Sequence, residues 1–158
     1  MKRAVSILVA AVSATLPQSA SSQSSDAEDI SVLSGECLRL VYGRQNFSEF
    51  CEPKLVNATF ASGRSTWTFT LPNAVMTFSG WGNQQVLINA DTAEHPIDRV
   101  LLNLGIEGVE PAITTAVGSC RFGNPNVPVR ITCSATTSEG DVVGLFLTDG
   151  SAPETLSR

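Results

Sequence analysis

Strict alternation of residue types is the feature that most constrains this chain. In residues 64–71 the odd positions from Trp67 to Leu71 are large and apolar, and threonine fills the even positions between them. A period of two is typical of a strand buried on one side. We expect further strands at residues 37–42, 55–60, 75–78, 85–90, 127–135 and 142–148, separated by turn residues. This pattern predicts a mainly β fold: an antiparallel β-sandwich or small barrel, with at most one short helix.

The one candidate helix lies in residues 96–105. Four aliphatic side chains there have the i, i+3, i+4, i+7 spacing of a helix face: Ile97, Val100, Leu101 and Leu104. Pro96 suits a first helical position, and Gly105 suits the residue after the end. The alternative is a strand with Val100, Leu102 and Leu104 facing inward. We predict the helix and keep the strand as the alternative.

Four cysteines form two pairs with similar spacing. Cys37 and Cys51 have 13 residues between them, and Cys120 and Cys133 have 12. Two local disulfides are the natural pairing, although the sequence leaves the crossed connectivities open. Closing a loop of about 14 residues stabilises a fold by roughly 3 kcal/mol in the chain-entropy model. A metal site is less favoured, since there is no Cys-x-x-Cys motif and only one histidine. We predict no metal and no cofactor.

The N-terminus has the pattern of a secretory signal peptide. Lys2 and Arg3 precede an apolar stretch at residues 4–16, and a short polar segment follows. Ala20 and Ser22 fit the small-residue rule for cleavage before Gln23; cleavage after Ala20 is the alternative. The apolar stretch is shorter than the ~20 residues that span a bilayer. We therefore expect residues 1–22 to be removed and the mature chain to carry no transmembrane segment.

The net charge of the chain and the compartment in which we expect it limit the classes of partner that it binds. The leader holds two of the 10 basic residues and none of the 15 acidic ones, so the mature chain has a net charge of −7. Its seven arginines are scattered, whereas proteins that bind phosphate backbones cluster their cations. An even number of cysteines fits an oxidising compartment. We expect a periplasmic or secreted protein that binds no nucleic acid.

The domain organisation expected from these features is simple. A flexible segment at 23–34 leads into one disulfide-bonded β domain at 35–150, and a flexible tail follows at 151–158. Residues 35–71 and 118–148 also share a faint internal similarity. Each of the two segments contains a cysteine pair. After it, a Thr, a Gly and a Phe recur at the same spacing: Ala58-Thr59, Gly63 and Phe69 in the first segment, and Ala135-Thr136, Gly140 and Phe146 in the second. We keep an internal duplication as a hypothesis, since common hairpin chemistry produces similar matches.

His95 is the candidate for catalysis. It is the sole histidine and lies in an acidic stretch with Asp91, Glu94 and Asp98, where carboxylates would orient or protonate it. The alternative interpretation is a solvated acidic loop before a helix start. No nucleophile elbow, zinc-protease motif or phosphate-binding loop accompanies it. A small secreted hydrolase using His95 is therefore an alternative function, not the leading one.

Two segments are candidates for binding. Trp81 lies between two glycines and is followed by Asn83, so the loop either exposes an aromatic platform or folds the tryptophan back over the sheet. Arg121, Asn124 and Asn126 belong to a proline-rich loop between two cysteines, either a rigid recognition loop or an ordinary stapled turn. Our leading hypothesis is a non-catalytic, inhibitor-like binding module that recognises an envelope or extracellular protein or glycan. A purely structural envelope protein is a further alternative.

Overall fold

The computed structural model describes residues 27–157, which form eleven β-strands and two 3-10 turns, with no α-helix among these residues. The expected signal peptide at 1–22 and its cleavage positions lie outside this range. The strands are β1 (Ala27–Tyr42), β2 (Gln45–Asn46), β3 (Lys54–Phe60), β4 (Arg64–Thr70), β5 (Val75–Trp81), β6 (Val86–Asn89), β7 (Thr92–Asn103), β8 (Ala112–Gly123), β9 (Arg130–Thr137), β10 (Gly140–Thr148) and β11 (Glu154–Ser157). The 3-10 turns are Ser48–Phe50 and Gly82–Gln84.

Eight strands close into an antiparallel barrel. Their order is β1-β3-β4-β5-β7-β8-β9-β10, and β10 pairs back with β1. Neighbours in the barrel also follow one another along the chain, so the path runs up and down around the wall. The predicted mainly β, antiparallel fold is confirmed, and closure makes it a barrel rather than a sandwich. Three extra strands, β2, β6 and β11, lie off the closed path.

The ends of the described chain are more regular than we expected. Residues 27–34, assigned above to a flexible segment, are the first half of β1 and pair with β3 and β11. The second half of β1 pairs with β10 and closes the barrel. Residues 154–157, assigned to a flexible tail, form β11. Both segments therefore take part in the sheet through their pairing with β1.

The interior of the barrel is filled by side chains. Alternate residues of each strand face inward and form one apolar core that includes Leu40, Leu55, Phe69, Met76, Phe78, Val100, Ile131, Val142 and Phe146, all at most 1% exposed. Gly144 makes room for Phe69, since a Cβ at residue 144 would lie 2.4 Å from that ring. The barrel is thus built around a packed core.

The predicted helix at 96–105 is wrong: residues 96–103 belong to β7, which pairs with β8 from Thr92 to Leu102, and residues 104–105 follow the strand. The register shifts between Ile97 and Arg99, so Ile97 and Val100 both face the core although they are three residues apart. This β-bulge imitates helical spacing. The alternative strand assignment is correct except at Leu104, which is 44% exposed. Pro96 fits in β7 because it lies where the neighbour on one side changes from β6 to β5.

Both local disulfides are confirmed. Cys37 bonds to Cys51, and Cys120 bonds to Cys133. The second pair occupies directly opposite positions of β8 and β9 and is fully buried, whereas the first joins β1 to the segment before β3. Two disulfides are compatible with an oxidising compartment.

The two segments of the suggested duplication differ in strand pairing. In 118–148 the strands β8, β9 and β10 pair one after another. In 35–71 β3 pairs with β4, but residues 35–42 of β1 pair with β10 and β2, and the residues of β1 that pair with β3 are 27–34, outside the segment. The hairpins differ in register by one residue, since Thr59 pairs with Ser65 but Thr136 pairs with Asp141. The disulfides also join different parts of the two units, so duplication remains a hypothesis.

Candidate functional site

The turns of the barrel alternate between two ends, because consecutive wall strands run in opposite directions. One end carries the turn at 61–63, the segment at 82–91 and the loop at 124–129, and we call it the His95 end after the histidine buried just inside it. The opposite end, with the segments at 43–53, 71–74, 104–111 and 138–139, is the Tyr42 end. All five predicted binding residues lie at or next to the His95 end: Trp81, Asn83, Arg121, Asn124 and Asn126.

Trp81 is the last residue of β5 and lies outside the barrel, opposite Arg64 of β4. The guanidinium carbon of Arg64 is 4.7 Å from the centre of the indole ring, a cation–π contact. The side chain remains 39% exposed. Neither alternative from the sequence describes it fully, since the ring does not plug the sheet and only part of it is open to solvent.

Arg64 is itself held in place by two groups on the outer wall. Its Nε donates to the Ser79 hydroxyl at 3.0 Å, and its terminal nitrogens bind the Asp98 carboxylate. Although partial burial opposes the effect, Arg64 and Arg99 hold the pKa of Asp98 below its ordinary value. The carboxylate therefore stays ionised and keeps the guanidinium in position over the tryptophan.

The loop at 124–129 is tied down from within. The hydroxyl of Thr148 accepts the Val129 N–H at 2.9 Å and donates to the Val127 carbonyl at 3.1 Å. Asn124 Oδ1 accepts the Asn126 N–H at 3.0 Å, and both asparagines are exposed. With these bonds in place, the loop loses little conformational entropy on binding a partner.

Arg121 lies outside the barrel on β8 and forms an ion pair with Glu94 of β7. Its side chain is 65% exposed, so the pair contributes little to stability. Glu94 in turn pairs in register with Val86 of β6. Arg121 thus borders the extra strand β6, not the tip of the loop at 124–129.

Strand β6 forms an exposed apolar surface at this end. The segment was predicted as a strand, but not as a surface. Val86, Leu87 and Ile88 are 51%, 78% and 50% exposed, although all three are aliphatic. Leu87 borders a shallow concavity of about 250 Å³ that Phe122 and Asn124 also line. The signal for this apolar surface in the sequence is a run of three consecutive aliphatic residues next to an uncharged loop.

His95 faces the interior and is completely buried. Neither ring nitrogen has a hydrogen-bond partner, and the Nε2 atom would lie 3.0 Å from a Cβ at Gly80. Burial lowers the pKa of the imidazole, and backbone groups of Trp81 and Gly80 oppose this only in part. The ring is therefore neutral at neutral pH.

The acidic neighbours of His95 in sequence do not form a catalytic cluster around it. Glu94 and Asp98 lie outside the barrel and bind arginines, because alternate residues of a strand face opposite sides. Asp91 is exposed in the turn before β7. The expectation that these carboxylates orient the imidazole is wrong, and a ring without solvent access does not reach a substrate in this conformation.

A second buried polar atom lies near His95. The indole nitrogen of Trp67 also lacks a hydrogen-bond partner, and its ring packs on Phe122 with centroids 4.8 Å apart. Phe122 pairs with Ala93, and the next inward-facing pair along these strands is His95 with Cys120. Phe122 therefore lies one inward-facing position closer to this end of the barrel than His95.

The Tyr42 end carries a separate groove of about 450 Å³, lined in part by Phe47, Leu102, Arg44 and Glu139. The Tyr42 hydroxyl shares a 2.9 Å hydrogen bond with Thr114 across the barrel. None of the binding residues predicted from the sequence lines this groove.

Comparison of the chain with protein-family models, curated proteins and solved structures finds no match. Within residues 27–157 no group of three or more histidine, cysteine or acidic side chains is arranged to hold a metal ion. No helix in that part of the chain is long and apolar enough to cross a membrane.

Proposed function

We propose that this chain is an exported, disulfide-bonded binding module that captures a protein of the cell envelope or exterior through its His95 end. The observation that carries the proposal is the gathering of Trp81, Asn83, Arg121 and the loop at 124–129 at one end of a rigid barrel. These residues come from two separate parts of the sequence, 81–83 and 121–129. Half-exposed aromatic rings and preordered loops are typical of protein recognition surfaces.

A protein partner suits this end better than a glycan. The exposed surface beside Trp81 includes the three aliphatic residues of β6, which offer no hydrogen bonds to sugar hydroxyls. Apolar area surrounded by amides is typical of the centre of a protein interface. A periplasmic or secreted location is consistent with the two disulfides and with the leader pattern at residues 1–22.

The hydrolase alternative receives no support from the position of His95. A general acid or base must come within hydrogen-bond reach of its substrate, and this imidazole is completely buried. A purely structural role stays an alternative, and the absence of any specific partner in the following experiment would favour it.

The proposal is tested by site-specific photo-crosslinking in the native envelope. A photoreactive residue at position 83, in the segment after Trp81, should yield a discrete crosslinked partner, whereas the same residue at position 45, at the Tyr42 end, should not. Export is checked first by intact mass, which should show loss of the leader and four cysteines protected until reduction. Equal crosslinking from both ends, or crosslinks to glycan alone, would contradict the proposal.

Two alanine variants supply a matched comparison. Trp81→Ala should abolish capture of the crosslinked partner while both disulfides form normally. Phe50→Ala removes an aromatic ring that is 60% exposed at the Tyr42 end, so capture should be unchanged. Equal loss with both variants would point to general destabilisation instead of recognition at the His95 end.

A further inference from the structure

Closing the barrel leaves open backbone edges on its extra strands. Along the described chain, β2, β6 and β11 each pair with other strands on one side only. An open edge presents unpaired N–H and C=O groups, which readily pair with a strand of another chain. Natural proteins protect such edges with charges or keep them short. β2 has only two residues beside Arg44, and β11 carries Glu154.

Of these three strands, β6 is the open edge of four residues that carries no charge. No Asp, Glu, Lys, Arg or His occurs between Ser65 and Ala90, a run of 26 residues in a chain of which 16% is charged. On β6 itself, Leu87 is 78% exposed, and its two aliphatic neighbours are half-exposed. A short bulge in the pairing with β7 after Leu87 is the only feature that disrupts the strand.

We propose that a second copy of this chain pairs with the free edge of β6, antiparallel and about a two-fold axis at Leu87. In this register Leu87 lies opposite Leu87 of the other copy, and Val86 lies opposite its Ile88. Every aliphatic residue of the strand then meets an aliphatic residue, and such cross-strand pairs stabilise a sheet. Gln85 and Asn89 flank the pair with amides.

Charge favours contact at this segment. Two identical copies each carry a net charge of −5 over the full sequence and repel one another at most surfaces. An uncharged strand is where they approach with the least repulsion. The symmetric arrangement, in which the same patch serves both subunits, is the commonest form of homodimer.

The dimer is expected to be weak and concentration-dependent. β6 has four residues, so the contact falls short of the roughly 1,200 Å² that stable interfaces bury. Pairing places the His95 ends of the two copies side by side, so that each partner encounters two capture surfaces. The inference does not depend on the function proposed above, because it requires only the edge of β6.

Because Leu87 lies on the two-fold axis of the proposed dimer, charged substitutions at this one residue test the proposal. Leu87→Lys and Leu87→Glu each place like charges opposite one another in the dimer, and each should weaken dimerisation about tenfold or more. An equimolar mixture of the two variants should restore it, since Lys then faces Glu. The measurement is sedimentation equilibrium of the mature, oxidised chain up to millimolar concentration.

The same two substitutions at Val117 provide the control. Val117 is 80% exposed on the outer face of β8, away from β6, so dimerisation should be unchanged. Thermal unfolding verifies that the variants are folded, as expected for changes at exposed sites. A parent chain that stays monomeric at millimolar concentration would overturn the proposal. So would a dimer that is insensitive to charge at position 87, or variants that fail to complement each other.

A chemical probe gives an independent readout of register. The described residues contain no free cysteine, so Leu87→Cys introduces a single thiol into that part of the chain. Mild oxidation should link two copies through residue 87 much faster than through Val117→Cys. Equal rates for the two variants would contradict pairing at β6.

Discussion

Acidification should destabilise this barrel through His95, because the folded chain holds the imidazole where protonation is unfavourable. The ring is fully buried, neither nitrogen has a hydrogen-bond partner, and burial lowers its pKa below the ordinary value of 6.5. The unfolded chain therefore binds a proton as the pH falls below about 6.5, and the folded chain binds it only at lower pH. The contribution of the neutral imidazole to the free energy of unfolding is fully present above that pH and is lost as the pH decreases below it.

The size of the effect follows from the free energy of protonating the unfolded histidine. If the folded state excludes the proton entirely, lowering the pH from 7.5 to 5.0 reduces the free energy of unfolding by about 2 kcal/mol, with a limiting slope near 1.4 kcal/mol per pH unit. Asp98 and Asp149 have lowered pKa values, so their contributions disappear only at more acidic pH, as each is protonated. The chain has no other histidine.

Urea unfolding followed by tryptophan fluorescence at several pH values measures this dependence. His95→Leu replaces the imidazole with an apolar side chain and should remove most of the loss between pH 7.5 and 5.0. Glu94→Gln alters the adjacent outer residue and should leave the loss in place. The same pH dependence in the parent and in His95→Leu would refute the reasoning, as would greater stability of the parent at pH 5.0.

Three further perturbations test the packing and the outer wall. Gly144→Ala places a Cβ 2.4 Å from the ring of Phe69 and should lower the free energy of unfolding in urea by about 1–3 kcal/mol. Adding Phe69→Leu should restore part of this loss. Replacing Cys120 and Cys133 together by alanine opens a loop between cysteines 13 positions apart and should lower the free energy of unfolding by roughly 3 kcal/mol. An unchanged urea midpoint would contradict the view that the disulfide stabilises the fold by restricting the unfolded chain. Arg64→Met uncovers the indole ring stacked on its guanidinium, so tryptophan emission should shift to longer wavelength, and an unshifted spectrum would argue against the cation–π contact.

The strands and their inward faces could be predicted because they depend on local alternation. Trp67 and Phe69 point into the core as their spacing indicated, and both local disulfides formed from cysteines close in sequence. The segment at 96–105 could not be assigned in this way. Its helical spacing arises from a bulge, and a bulge is fixed by the register of β8 against β7, which periodicity within one segment does not contain.

The candidate site shows the same division. The sequence predicted Trp81 and the asparagines at 124 and 126 as loop residues that bind a partner; the asparagines lie in a loop, whereas Trp81 is the last residue of β5. That Arg64 covers the tryptophan depends on strands β4 and β5 being neighbours in the barrel. The sequence places three carboxylates near His95, but the strand turns the imidazole inward and two of these carboxylates outward, which only the pairing of the strands determines.

The sequence by itself determined the β class, and it favoured the two local disulfides and suggested candidate binding residues, since each rests on residue types at short spacing. Tertiary structure decided that β10 closes on β1, that β6 is left with an open edge, and that the candidate binding residues share one end of the barrel. Those outcomes depend on pairings between residues a hundred or more positions apart, such as Tyr42 with Val142. Pairing over that distance is selected by the packing of the whole core, which no local pattern encodes.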